Sequence, residues 1–258
     1  MIRENDMIKE IKAELLIVKM FDSRNEMGKA VTADVISAIN EVLSKQEVCS
    51  MIFAAAPSQN ELLGGLASSG DVDWNKINAF HMDEYIGINK DAPQAFGNFL
   101  KSRLFDKVSF KSINYINGNA DPITECKRYE DMLKTNKIDI VCGGIGENCH
   151  IAFNDPHVAD FNDKAMIKIV DLDEKCRQQQ VNDGCFATIH DVPKQALTLT
   201  IPVLMNAKHL FCTVPAATKA QAVYNTVNQP VCTLYPSTIL KTHPNATMYI
   251  DSDSGSLI

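Results

Sequence analysis

Ile138-Asp139-Ile140-Val141-Cys142, running into Gly143-Gly144-Ile145-Gly146-Glu147-Asn148-Cys149-His150-Ile151-Ala152-Phe153-Asn154-Asp155-Pro156, is the stretch that decides how this chain folds. The apolar run from Ile138 to Cys142 reads as a buried strand, and the glycines after it read as a tight turn at the strand's carboxyl end. Open α/β sheets place their ligand sites there. Glycine lets backbone amides come close to a ligand, and the same turn delivers an imidazole, His150, and a carboxylate, Asp155. A second segment, Phe80-His81-Met82-Asp83-Glu84-Tyr85-Ile86-Gly87, also ends an apolar run with a carboxylate. Two strand ends carrying acid and base groups point to a catalyst.

Outward from these segments, strand and helix signals alternate. Ser23-Arg24-Asn25-Glu26 has capping-box spacing, and Val31, Val35, Ile39, Val42 and Leu43 follow at helical intervals. Val48 to Ala56 has strand length, and Ser58-Gln59-Asn60-Glu61 repeats the capping pattern ahead of Leu62, Leu63 and Leu66. Ile77 to Met82 reads as a strand, and Asp121-Pro122 starts a helix that runs to about Lys134. Met166 to Leu172, Ala196 to Thr200, Leu210 to Val214 and Thr247 to Asp251 complete the strand candidates. The pattern predicts an α/β fold, Rossmann-like, with a mostly parallel sheet covered by helices on both faces. No repeat, low-complexity tract or linker marks a boundary, so residues 1–258 are expected to form one domain.

The chain has 258 residues, 45% of them apolar, which suffices for a large core. Its net charge of -7 argues against a protein whose main business is binding nucleic acid, although a small anion can still be held by two or three local cations. Eight cysteines are spread along the chain without CxxC spacing and suit small buried side chains in a reducing compartment. The charged start lacks the apolar core of a signal peptide, and no run approaches the roughly 20 apolar residues of a membrane span. A cytoplasmic location and no membrane partner are the expectations. A homo-oligomer is left open.

Other chemistries fit less well. Gly144-x-Gly146-x-x-Cys149 lacks the third glycine of a dinucleotide fingerprint, and no GxxxxGK[ST] motif exists. Cys149, His150, Asp155 and His157 suggest metal ligands, but no second short-spaced pair accompanies them, and no metal or other cofactor is expected. Cys149 beside His150 suggests a nucleophile, yet neighbours in sequence rarely face each other.

Taken together, the two strand-end segments, Val192-Pro193-Lys194-Gln195-Ala196-Leu197-Thr198 and the late Pro236-Ser237-Thr238-Ile239-Leu240-Lys241-Thr242-His243-Pro244, resemble the glucosamine-6-phosphate deaminase (isomerase) family, of the superfamily that includes 6-phosphogluconolactonase. The resemblance covers nearly the whole chain. It implies conversion of a hexosamine phosphate, glucosamine 6-phosphate first, to a ketose phosphate and ammonia. It makes Asp83 the base that moves a proton from C2 to C1, His150 the group that assists ring opening, and Asp155 its partner, with Asn148 joining the catalytic set. Substrate contacts are expected from Ser58, Gln59, Gly144 and Gly146, with Lys219 and Arg177 on the phosphate.

Two departures stand out. The family's glycine-rich loop after the first strand is replaced by Ala55-Ala56-Pro57-Ser58-Gln59-Asn60, where Ser58 also fits a helix cap, and Cys149 replaces a common glycine. If that position needs a positive φ, cysteine strains the turn. A galactosamine-type epimer, a non-catalytic sugar-phosphate sensor and a lactonase stay open as alternatives.

Overall fold

Ser23 accepts a hydrogen bond from the Glu26 amide at 3.2 Å, and Asp121 accepts one from the Thr124 amide at 3.0 Å, so both capped helices begin where the caps place them. The computed structural model describes residues 7–258. In chain order the elements are β1 (Met7–Ala13), β2 (Leu16–Phe21), α1 (Arg24–Leu43), β3 (Cys49–Phe53), α2 (Asn60–Ser68), β4 (Ile77–His81), β5 (Asp83–Tyr85), α3 (Phe96–Leu100), β6 (Ser112–Asn114), α4 (Pro122–Thr135), β7 (Ile140–Gly143), β8 (Ile167–Asp171), α5 (Glu174–Asn182), β9 (Gln195–Leu199), α6 (Ile201–Met205), β10 (His209–Val214), α7 (Ala220–Asn228) and β11 (Ala246–Asp251).

The main sheet has the order β1-β2-β11-β10-β7-β3-β4-β6 and is parallel except at the β1–β2 edge hairpin. Alternate residues of its strands point into two separate cores. Met51, Phe53, Phe211 and Tyr249 join one, while Ile52, Leu210, Cys212, Met248 and Ile250 join the other. Helices therefore cover both faces, α1 and α2 on the first side, α4 and α7 on the second. From β3 the chain moves through β4 toward one edge, and from β7 through β10 and β11 toward the other. The switch point between β3 and β7 is where such sheets open a crevice.

The expectation of a single sheet needs correcting. The predicted strands at 166–172 and 196–200 build a second, three-stranded antiparallel sheet, β5-β9-β8. Asp83, expected at the end of β4, instead opens β5, because the chain changes sheets at Met82, whose carbonyl accepts from the Leu199 amide at 2.7 Å. The β1–β2 hairpin, for which the sequence offered no prediction, inserts β2 beside β11. Its outer strand alternates Lys9, Glu10 and Lys12 with Ile8 and Ile11 and is mostly exposed, so no apolar run announced it.

Candidate active site

The loops after β3, β7 and β10, together with Asp83 and part of α5, line a cavity that opens to solvent. Ser58, Gln59, Asp83, Gly144, Gly146, His150 and Lys219 all line it. The main-sheet loops meet because β3, β7 and β10 are neighbours, and Asp83 joins them because β9 of the second sheet bonds both to β5 and to the turn after β7. Asp83 sits opposite Thr198 on β9. The Thr198 hydroxyl accepts from the Phe153 amide at 3.0 Å, and the Asn154 side chain donates to the Leu199 carbonyl at 2.8 Å. One strand thus positions the Asp83 carboxylate and the histidine turn against each other.

Burial pushes the Asp83 carboxyl well above the ordinary carboxylate range, and neighbouring Glu84 adds to the shift. Its backbone is fixed by His81, which is fully buried. The His81 Nε2 accepts from the Ile116 amide at 2.8 Å, which assigns the proton to Nδ1, facing the Asp83 carbonyl at 2.9 Å. Burial lowers the His81 pKa to about 4, so the ring stays neutral. Glu84 points away from the cavity and accepts from the Tyr85, Phe96 and Gly97 amides at 2.9, 3.0 and 2.9 Å. It anchors the start of α3 and with it Phe96, which lines the cavity, while Phe99 packs into the core.

The His150 Nδ1 lies 3.0 Å from the Asp155 Oδ1, a close pair set off the ideal hydrogen-bond angle. Desolvation opposes ionisation of Asp155, but the His150 contact, the Asn148 amide at 2.9 Å and the Asp173 amide outweigh it and hold the pKa at about 2. Asn148 lies outside the cavity lining. It donates to Asp155 and Asp173, and its Oδ1 accepts from the His150 amide at 3.2 Å, so it orients the pair. Gly146 has its own task, since a Cβ there would stand 2.2 Å from the His150 ring. His150, Asp155 and Cys176 also bring ligand-capable atoms within 4.8 Å of one another, the group best suited here to a soft cation, in competition with the His150–Asp155 contact.

The turn carries backbone strain. Cys149 has φ +70, Ala152 φ +49 and, after β10, Ala216 φ +82, all conformations that favour glycine. The concern over Cys149 therefore holds, and the turn adopts the left-handed conformation regardless. The Ser237 amide clamps it by donating to the Cys149 carbonyl at 2.8 Å, and Asp251 holds the Ala216 amide at 3.1 and 3.0 Å. The Cys149 thiol is buried and its pKa raised by desolvation, which suits a packing residue rather than a nucleophile.

Among the anion-binding candidates, Lys219 is 5% exposed and lines the cavity with no ion pair among the described residues. Burial lowers its pKa, against the pull of Asp183 and Glu147. Ser58 is not a helix cap: a 3₁₀ turn at Pro57–Gln59 leads into α2, and the hydroxyl faces the cavity. Gln59 lines the cavity, but its Nε2 is within reach of Ser58 Oγ (3.0 Å), the Gly143 carbonyl (3.1 Å) and the Thr213 carbonyl (3.4 Å). It ties three strand ends together and has no N–H left for a ligand. Gly144 makes room for that amide, 3.1 Å from where its Cβ would be.

Arg177 requires a correction. It does not line the cavity, and its guanidinium donates to the carbonyls of Ile189 and Val192, fastening the loop after α5. Helical phase explains the displacement: Cys176, Gln179 and Gln180 form the buried face of α5, and Arg177 lies one residue off it. Gln179, Gln180 and Asp183 face the cavity instead, as does Arg24 from the start of α1. The sequence reading passed over all four. The run Gln178-Gln179-Gln180 was the one available signal, since amides in a buried helix face need a polar partner.

Fold and site together define an open α/β protein with an acid–base centre at the sheet's switch point and a buried cation beside it. The chain belongs to the family described as glucosamine-6-phosphate isomerases/6-phosphogluconolactonase, whose profile matches residues 22–249. It is 33% identical over 242 residues to a glucosamine-6-phosphate deaminase of Listeria innocua, covering 93% of this chain and 100% of that protein. A glucosamine-6-phosphate deaminase of Exiguobacterium is 36% identical over 186 residues, 72% of this chain and 71% of the relative. In three dimensions the chain is similar to a monomeric glucosamine-6-phosphate deaminase (TM-score 0.84, 26% identity, 93% of this chain and 99% of that one). The fold is shared with the 6-phosphogluconolactonase of Trypanosoma brucei (TM-score 0.78, 13% identity, 96% and 99%).

Proposed function

We propose that this protein is an amino-sugar-phosphate deaminase/isomerase that converts glucosamine 6-phosphate and water to fructose 6-phosphate and ammonia. The observation that carries this reading is one cavity lined by Asp83, by His150 backed with Asp155, and by Lys219. His150 moves the proton between the anomeric hydroxyl and the ring oxygen as the sugar opens. Asp83 then takes the C2 proton; the electron pair forms the C1–C2 double bond as the C1 carbonyl π bond breaks onto O1, which takes up a proton given up by the substrate's ammonium. Return of the proton to C1 leaves an imine at C2, which water hydrolyses to the ketone and ammonia. A carboxyl with a raised pKa suits this work, because it must accept and give back the same proton. The substrate's ammonium, arriving beside Asp83, favours the charged form that starts the cycle.

No helix among the described residues is long and apolar enough to cross a membrane, and all eight cysteines are free. A reducing cytoplasm is the proposed setting. A monomer is proposed on the likeness to the monomeric glucosamine-6-phosphate deaminase. The deciding assay supplies glucosamine 6-phosphate, galactosamine 6-phosphate and 6-phosphogluconolactone separately and measures ammonia, ketose phosphate and acid release. Ammonia from the first substrate is expected; acid from the lactone alone, or silence with all three from folded protein, overturns the reading.

A further inference from the structure

We infer that Arg24 is the second cation of the anionic subsite, acting together with Lys219. This rests on the sugar-phosphate reading above but names a residue that neither the sequence motifs nor the family resemblance supplies. A dianion drawn out of water needs more than one positive charge to offset its desolvation. Of the charged side chains lining the cavity, Lys219 and Arg24 are the cations and Asp83 and Asp183 the anions. Arg177 is engaged elsewhere, on the Ile189 and Val192 carbonyls.

Arg24 is held in place rather than free in solvent. Its Nε lies 2.7 Å from the Glu61 Oε1, and its Nη2 donates to the Pro57 carbonyl, one residue before Ser58. That tether needs α1 and α2 to approach closely, and Gly28 allows it: a Cβ there would stand 2.3 Å from the Glu61 Cβ. The guanidinium is thereby tied to the turn that carries Ser58, where the family's glycine-rich loop is missing, and both residues line the cavity. A fixed fork supplies from a side chain the donors that glycine amides would otherwise offer.

The test is binding and kinetics of Arg24→Gln and Glu61→Gln, with glucose 6-phosphate and inorganic phosphate as equilibrium probes and glucosamine 6-phosphate as substrate. Arg24→Gln should weaken both probes about tenfold or more and raise KM similarly, with kcat within a few-fold. Glu61→Gln loosens the same helix–turn tether while removing a competing negative charge, so it should leave probe affinity unchanged or tighter. If Arg24 only braces the turn, the two variants weaken binding alike; that result, or Arg24→Gln binding as the wild type does, overturns the inference. Wild-type protein that binds both probes but releases no ammonia from any hexosamine phosphate removes the proposed reaction and leaves the subsite standing. Wild-type protein that binds neither probe removes both.

Discussion

The turn after β7 and the turn after β3 lie side by side in the cavity wall and solve their geometry in opposite ways. The β7 turn carries Gly143, Gly144 and Gly146, yet its left-handed positions fall on Cys149 and Ala152, and it holds shape through external clamps from β9 and Ser237. The β3 turn has no glycine and no positive φ, and it is braced by side chains, Gln59 to the ends of β7 and β10 and Arg24 to Pro57. In the proposed reaction the strained turn carries His150 as the ring-opening group and the relaxed one serves the phosphate. Chemistry needs one atom held in one place against a reacting carbon, whereas charge attraction tolerates small displacements.

The largest effect that bears on this division is at the base. Asp83→Asn should reduce kcat by about 10²–10⁴-fold while leaving glucose 6-phosphate affinity within a few-fold of wild type. The same change should raise Tm at pH 8 more than at pH 5. A folded carboxyl whose pKa lies above its unfolded value binds protons the unfolded chain has lost, so its contribution to stability falls as pH rises through that window. Equal Tm gains at both pH values would sink the assignment of a raised pKa. Asp155 gives the opposite sign: its pKa of about 2 supplies stability that is present above about pH 4 and lost as pH falls toward 2. Asp155→Asn should therefore flatten acid unfolding in that range, a result checked by the pH at half-unfolding.

On the binding side, Lys219→Ala should raise KM by about 10–100-fold, one to two steps of 1.4 kcal/mol, with a smaller change in kcat. A loss confined to kcat would place the lysine with the chemistry. The seam between the sheets is tested by Thr198→Val, which strands the buried Phe153 amide and should cost about 1–3 kcal/mol in denaturant unfolding. Its kinetic loss should fall on kcat, because the histidine turn moves and the anion subsite does not. The smallest effect expected is a gain. Ala216→Gly should stabilise by about 1 kcal/mol by relieving its φ of +82, and an unchanged midpoint would mean the Asp251 clamp already absorbs that strain.

Much of this molecule was legible in one dimension. The caps at Ser23 and Asp121, the buried strands at 49–53, 77–81, 140–143, 209–214 and 246–251, and the acid and base at strand ends follow from hydrophobic periodicity and local hydrogen bonding. Asp83, His150 and Lys219, named from the family resemblance, line one cavity. What the tertiary structure alone decided is which strands share a sheet and which way a helix turns its faces. β5, β8 and β9 look like main-sheet strands until pairing partners are known, since an apolar run does not encode its neighbour. Arg177 and Gln180 sit three residues apart on the same short helix, and only its docking angle sends the amide into the cavity and the guanidinium to a loop. Arg24, in a motif that reads only as a helix cap, reaches the site because Gly28 lets two helices touch. Local interactions are written in neighbouring residues, but long-range contacts are fixed by packing of the whole core, and the composition of the site depends on that packing.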